Sequence, residues 1–438
     1  MEIRKITITL FLAAGLAQAQ ISVSGEINPY VMTRTKNSSQ IDLPFRLLSL
    51  DIGYSFEKFD IKTNSAIEHR IKTNKSLIDL REMYFAFYPE WGELKLGRQI
   101  HSWGAVDAIN PTNNLNPYDY YYMFKVGAGT KVGVLSLSST YYSDSFQFEI
   151  IINPFFNKNR IPYDEKDFPL APDNEPDVRY FPENELEAGF RLQTTINSSD
   201  ISFSYFSGND RMPSIHTGIF PNETSADISM DLGYRKTTMI GSDFVTFIGD
   251  FTFRIEGALY NTKTGSTKNA DLQDNLLIFS EEVLYSQYVL QFEYTTAYDL
   301  MLSGQFIGSS VISDDRKWIN DGNEFSSTNI IAPEFSPGMG TPFAMFTNNA
   351  LLVSSSGILF DDRVDIQGSI MSNLENPGSF VSFGLGYSPV LNWKLELATT
   401  QFSGSDKPQD AFTLMERFNH LRMGVMYNFW FLIFSNVS

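Results

Sequence analysis

The chain has 438 residues, no cysteine, 51 acidic against 33 basic side chains, and 14% aromatic residues, mostly 37 Phe and 21 Tyr. The missing cysteines exclude a disulfide framework and thiolate metal sites, and a net charge of −18 argues against nucleic acid as a partner. No linker rich in Pro, Gly or Ser divides the chain and strand patterning never gives way to helix patterning, so one large closed sheet is expected rather than several soluble domains.

The first residues carry Arg4 and Lys5, an apolar run from Ile6 to Leu16, and Ala17-Gln18-Ala19. This pattern predicts a secretory signal peptide over 1–19 and a mature domain over 20–438. The apolar run is too short to span a bilayer as a helix, and no later stretch supplies one. Removing one acid and two bases with the signal leaves 50 acidic against 31 basic residues, a charge of −19.

From there the sequence alternates. In Phe45 to Phe56, Leu48, Leu50, Ile52, Tyr54 and Phe56 share one face and Ser49, Asp51, Gly53 and Ser55 the other. Phe59, Ile61, Ile67 and Ile71 oppose Asp60, Lys62, Asn64, Glu68 and Arg70. The same pattern sets Leu186, Ala188, Phe190, Leu192 and Ile196 against Glu187, Arg191 and Gln193, and Phe251, Phe253, Ile255 and Leu259 against Arg254 and Glu256. The last strand sets Leu421, Met423, Val425, Tyr427, Phe429 and Phe431 against Arg422, Gly424 and Asn428. A soluble sandwich also alternates. Here, however, tight turns (Glu57-Lys58, Glu90-Trp91-Gly92, Ser198-Ser199, Gly249-Asp250, Val390-Leu391) alternate with long polar loops (Asn153 to Asn184, Gly208 to Lys236, Ser313 to Phe346, Ser403 to Glu416). Aromatics gather near strand ends, as in Tyr84 with Tyr88, Tyr141 with Tyr142, and Phe429 with Trp430. Short turns on one side of a membrane, long loops on the other and aromatic girdles define the outer-membrane arrangement. The expected fold is therefore all-β, a transmembrane antiparallel β-barrel of about 16–18 strands with a best count of about 18. The uncertain segment is Leu276 to Thr296, which reads as one long strand or two short ones.

The stretch Gly97 to Asp119 breaks the pattern. Asn110-Pro111 and Asn116-Pro117 cannot continue a sheet, because proline has no ladder donor and restricts the residue before it. The segment nevertheless carries Arg98, Gln99, His101, Trp103, Asp107, Asn110 and Asp119, which are expected to line an inward-folded loop that narrows the pore. Alternation puts Arg98 on the lipid side with Leu94, Leu96 and Ile100. A bulge at Gly97 would turn it into the lumen to meet Asp107, Glu68 or Glu82; otherwise it lies at the headgroup rim.

Leu96-Gly97-Arg98-Gln99, Trp103-Gly104, Asp107 and Asn110-Pro111 resemble the signature of a large family of Gram-negative outer-membrane barrels described as porin-like or hydrophobic-compound transport proteins. Asn153-Pro154-Phe155-Phe156, Arg160-Ile161-Pro162, Glu187-Ala188-Gly189-Phe190-Arg191, Ser204 to Asp210 with Pro213, and Leu421 to Val425 with Phe429 follow in the same order. The resemblance implies an outer-membrane channel and is patchy from Leu259 to Ser336. One departure is the end of the chain. Such barrels commonly finish on an aromatic residue read by the barrel assembly machinery, whereas Phe434 is followed by Ser435-Asn436-Val437-Ser438.

Chemistry for catalysis is missing. His69, His101, His216 and His420 form no metal-type spacing, and no G-x-S-x-G elbow occurs. The acidic loop Tyr163 to Glu185, with Asp173-Asn174-Glu175-Pro176-Asp177, lacks an EF-hand spacing and reads as a solvated face, as does the cluster Asp314, Asp315, Asp321 and Glu324. No enzyme activity, cofactor or metal is expected. Charges of both signs on the inner face (Asp60, Lys62, Glu68, Arg70, Glu82, Lys95, Glu187, Arg191, Arg254, Glu256) would select solutes by sign and size. The expected function is a porin-like channel passing small solutes, hydrophobic ones among them. The alternative is a surface adhesin or structural outer-membrane protein with a plugged lumen. Expected partners are outer-membrane lipid, small solutes and the barrel assembly machinery, with no nucleic acid and the oligomeric state open.

Overall fold

The computed structural model describes residues 20–434 apart from 108, 126, 169, 171–173, 220–228, 268–275, 321–322, 326–331, 341–345 and 409. The signal peptide over 1–19 and the tail after Phe434 lie outside the described residues.

The chain closes into an 18-strand antiparallel barrel. In order these are β1 (Gln20–Ile27, continued by Tyr30–Arg34), β2 (Phe45–Phe56, preceded by Gln40–Ile41), β3 (Phe59–Arg70), β4 (Lys75–Phe87), β5 (Gly92–Gln99) and β6 (Val134–Tyr142). Then come β7 (Phe146–Asn153), β8 (Glu187–Ile196), β9 (Ser199–Asn209), β10 (Lys236–Ile248), β11 (Phe251–Lys263) and β12 (Leu276–Thr295). The last six are β13 (Leu300–Asn320), β14 (Asn349–Leu359), β15 (Val364–Asn373), β16 (Ser379–Tyr387), β17 (Trp393–Ser403) and β18 (His420–Phe434). Closure is direct, because β1 pairs with β18 from Gln20↔Phe434 to Ile27↔Tyr427. A closed sheet leaves no edge and pairs every backbone group at bilayer depth.

Of the two readings open at Leu276 to Thr296 the structure takes the first, and one boundary differs from the sequence reading. Leu276 to Thr295 is a single strand of 20 residues. The loop expected from Ser313 begins later, because β13 runs on to Asn320. Within that extension Asp314 pairs with Arg316 at 2.5 Å and Asp315 with Lys317 at 3.1 Å, so these charges belong to the wall.

The outer face is apolar, with Met423, Leu395 and Leu96 exposed at 54%, 47% and 58%. That exposure places the protein in lipid, since a soluble core would hide these side chains. Aromatic pairs ring the tight-turn end: Phe59 stacks on Phe85 and Phe87, Phe251 on Tyr294, and Trp91 on Tyr141. Tyr84 is not part of this girdle. It pairs with Gly97 on the inner face, and the Lys95 ammonium lies 5.7 Å from its ring.

Inside the barrel, two clusters of buried side chains join the wall to the loop between β5 and β6. Trp103 and Leu115 pack with Ile151, Phe206, Met239 and Tyr260. Val106 packs with Val289, Ile307, Leu352 and Phe412 on the far side.

Candidate functional site: the inward loop and its anchors

The loop over 100–133 leaves β5 and returns to β6 after crossing the lumen. It cannot form a ladder of its own, so side chains satisfy its backbone. Asn116 bridges the two strand ends: its amide donates to the carbonyls of Gln99 and Val132, both at 2.9 Å, and its carbonyl accepts from the His101 amide at 2.8 Å. At the start of the loop, the Glu82 carboxylate accepts from the Ile100 amide at 2.8 Å.

The tip is held by Glu256 on β11, which is fully buried. Its Oε1 accepts from the Thr112 amide at 2.9 Å and the Thr112 hydroxyl at 2.8 Å. Its Oε2 accepts from the amides of Ala105 at 2.9 Å and Val106 at 3.3 Å, and from the Asn110 side chain at 3.2 Å. One carboxylate thus gathers donors from both sides of the Asn110-Pro111 step. Tyr260, also on β11, donates to the Pro111 carbonyl and accepts from Asn114 at 3.1 Å. Two glycines make room on the wall. A Cβ at Gly189 would lie 2.7 Å from Trp103, and one at Gly241 would lie 2.5 Å from Thr112.

A second set of anchors holds the return of the loop. Arg160 bridges Glu68 at 2.7 Å and Asp119 at 3.0 Å. Arg46 donates to the Gly129 carbonyl at 3.0 Å and stacks 3.9 Å above the Tyr122 ring, while Arg81 donates to the Ala128 carbonyl at 2.6 Å. Both arginines are turned inward by bulges. The β2–β3 register slips between Arg46 and Leu48, and the β3–β4 register slips opposite Asn64 and Ser65, beside Arg81. Burial pushes the Asp119 carboxyl up to about 6, against the opposing pull of Arg160.

The structure distributes the residues singled out from sequence as follows. Gln99 is buried and hydrogen-bonds Ser136 and Ser138 at 2.9 and 3.0 Å. His101 is buried 2.9 Å from the Ser136 hydroxyl, and burial lowers its pKa to about 3, so its ring is neutral. Trp103 donates to Glu149 at 2.7 Å, and Asn110 donates to the Val106 carbonyl at 2.6 Å. Asp107 stands at the tip with its side chain 47% exposed, 3.7 Å from Arg254 and 2.7 Å from the Gln291 amide.

Arg98 is a correction. It pairs with Met83 and Leu135, both outward, so its side chain lies on the outer face, where Nε donates to the Leu80 carbonyl at 2.7 Å. The β4–β5 ladder stops at Met83↔Arg98, and the guanidinium serves the backbone just beyond it. Gly97 holds φ 140°, yet the strand keeps its register there. Asp107, Glu68 and Glu82 have the other partners named above.

The ten inner-face charges all belong to strands as read, but their duties divide. Glu68, Glu82 and Glu256 hold the loop; Arg70 pairs with Glu165 at 2.6 Å and Glu187 with Arg211 at 2.7 Å, tying outer loops down. Lys62 lies 4.0 Å from Asp60, Lys95 2.5 Å from Glu93, and Arg191 2.9 Å from Asp243. Arg254 reaches Glu293 at 3.1 Å and the Ala105 carbonyl at 2.7 Å. Sequence reading missed Arg46, Arg81, Arg160 and Tyr260. For Arg46 and Arg81 the signal was present, since each sits in phase with outward apolar neighbours, as Arg98 does.

No protein-family model matches the chain, and no curated protein sequence does. The signature resemblance thus has no counterpart there. Among solved structures, the chain is similar to OccAB2 of Acinetobacter baumannii (10% identity, 95% of this chain and 99% of that one, TM-score 0.53). It is also similar to Pseudomonas aeruginosa OccK2 (OpdF) in complex with glucuronate (9% identity, 95% and 98%, TM-score 0.52). A third is a BenF-like porin from Pseudomonas fluorescens Pf-5 (10% identity, 94% and 98%, TM-score 0.50). The fold is that of porins of the bacterial outer membrane, and that is the membrane its lipid-facing band fits.

Proposed function

We propose that the protein is an outer-membrane channel for small solutes whose constriction is the loop over 100–133, fixed across the lumen by Glu256. The observation that carries this reading is the set of hydrogen bonds from both arms of the loop to that one carboxylate. A loop so fixed narrows the lumen at a set place, where the exposed Asp107 meets Arg254. Charges of both signs face the remaining space, with Lys62, Lys394 and Arg422 retaining 50%, 26% and 26% side-chain exposure. Small organic acids such as the glucuronate held by OccK2 suit that wall. The half-exposed Phe124 offers a face for more hydrophobic solutes.

A second reading is a plugged barrel whose outer loops carry the function. It is favoured by the contact of Phe124 across the lumen with Phe380, Phe402 and Phe418, at 6.5, 5.6 and 6.4 Å between ring centroids. Liposome swelling separates the two. A channel gives swelling in glucuronate and in a neutral sugar of similar size, above protein-free vesicles; a plugged barrel gives neither.

A further inference from the structure

Above the constriction, three long loops line a partly open cavity of about 250 Å3. Its walls are Ile161, Tyr163, Phe168 and Leu170 from the loop over 154–186, Met212 from the loop over 210–235, and Tyr120 from the inward loop. Pro162, Pro176 and Pro213, which fix their own φ, and the amide side chain of Asn174 complete the lining. The floor is anchored, since the Tyr120 amide donates to the Arg160 carbonyl at 2.9 Å, directly beneath Ile161 and Pro162. The Met212 side is anchored too, because its amide donates to Asp210 at 3.2 Å and the Asp210 amide to the Arg235 carbonyl at 2.7 Å.

The lining is mostly apolar and aromatic, with the Asn174 amide as its one other polar side chain besides the two phenols. No ionised group is among the lining residues, and among the described residues neither phenol hydroxyl, of Tyr120 or of Tyr163, has a hydrogen-bond partner. An apolar cavity of roughly 150 Å3 already accommodates benzene, so this one has room for a ring with small substituents. Aromatic walls favour an aromatic face, and the two free hydroxyls favour one oxygen on the ligand.

We infer that this cavity is a binding site for a neutral, single-ring organic molecule carrying one hydroxyl or carbonyl group. The site is separate from the charged constriction, although Tyr120 belongs to the constriction loop two residues before Tyr122, which Arg46 and Glu68 hold. Its purpose as a capture site rests on the channel reading; its existence does not.

The test is equilibrium titration of the mature chain in lipid nanodiscs with p-cresol, using empty nanodiscs as the reference for partitioning. Saturable binding at one site per barrel is expected. Met212→Trp, which fills the cavity, should weaken it at least about tenfold, and Met212→Ala, which enlarges it, should shift the preference from p-cresol toward the larger 2-naphthol. A titration indistinguishable from empty nanodiscs overturns the site. So does equal p-cresol affinity in the Met212→Trp protein. If Met212→Trp does not fold, an unchanged preference between the two phenols in Met212→Ala overturns it. None of these measurements requires conduction, so a conducting barrel without saturable binding ends this inference and leaves the channel standing.

Discussion

Glu256 and Thr112 are joined by two hydrogen bonds to one carboxylate oxygen, 2.9 Å from the amide and 2.8 Å from the hydroxyl. Thr112 is fully buried at the tip of a loop that left the wall at β5, and Glu256 is on β11, on a different part of the barrel. A charged acceptor is the strong partner for such donors, and water would otherwise have to replace it inside the lumen. Glu256→Ala leaves the amides of Ala105 and Thr112 without their acceptor, at roughly 1–3 kcal/mol for each one that stays buried. The expected outcome is a loop that leaves the wall, read as new trypsin cleavage after Lys125 or Lys131 on a barrel that still shows heat-modifiable migration. Glu256→Gln, which keeps acceptor oxygen, should be cleaved more slowly. Protection equal to the unaltered protein in both variants would contradict the anchor.

The wall is shaped for the loop as well as bonded to it. Gly189→Val would drive a side chain into Trp103, where even a Cβ comes within 2.7 Å of the indole and 3.0 Å of Leu115. Overpacking of this kind costs roughly 1–3 kcal/mol. Because the clash falls on the loop and not on the ladder, the barrel should survive and hydrogen exchange should rise over 100–116. Exchange unchanged there would show that the loop does not rely on this contact.

Arg98 and Arg254 separate position from composition. Arg98 faces outward and serves the Leu80 carbonyl, whereas Arg254 lies inside, its side chain 28% exposed, and pairs with Asp107 and Glu293. Arg98→Leu should leave ion selectivity unaltered, and Arg254→Leu should shift the reversal potential toward cation preference. The opposite assignment of effects would place Arg98 in the lumen.

Asp119 gives a pH dependence. Burial raises its carboxyl to about 6, above the value of a solvated aspartate, and the charges that face it are Arg160 at 3.0 Å, Arg46 at 4.0 Å and Glu68 across Arg160. A group whose folded pKa is raised takes up its proton as pH falls through about 6, and its contribution to folding is lost as pH rises from about 4 to about 6. Between pH 7 and pH 5 the site therefore gains positive charge, and anion permeability should rise. In Asp119→Asn that change should be missing and the ratio should sit near the acid value throughout. Identical profiles in the two proteins would remove Asp119 from the conduction path.

Much of this was legible in the chain. Period-two alternation and the contrast of tight turns with long loops predicted the closed sheet and the strand count, because lipid on one face and water on the other constrain every strand in the same way. The two Asn-Pro steps marked the loop that leaves the wall. What did not follow was which out-of-phase arginine is turned inward. Arg46, Arg81 and Arg98 share the same local pattern, and only the first two lie at bulges. A bulge is a property of two strands and their register, so one strand's sequence cannot place it. Nor could alternation show that Glu68, Glu187 and Glu256 bind loops and Lys62 does not, since those partners are distant in sequence.

The central claim is that the loop over 100–133 restricts a conducting lumen. The measurement that tests it most directly is single-channel conductance in planar bilayers for the mature protein and for a variant lacking residues 105–114, which removes the segment held by Glu256. The account predicts discrete openings in the unaltered protein and a clearly larger conductance in the deletion, with Arg98→Leu as an unchanged control. Equal conductance in the two proteins, or no conductance in either, would contradict it.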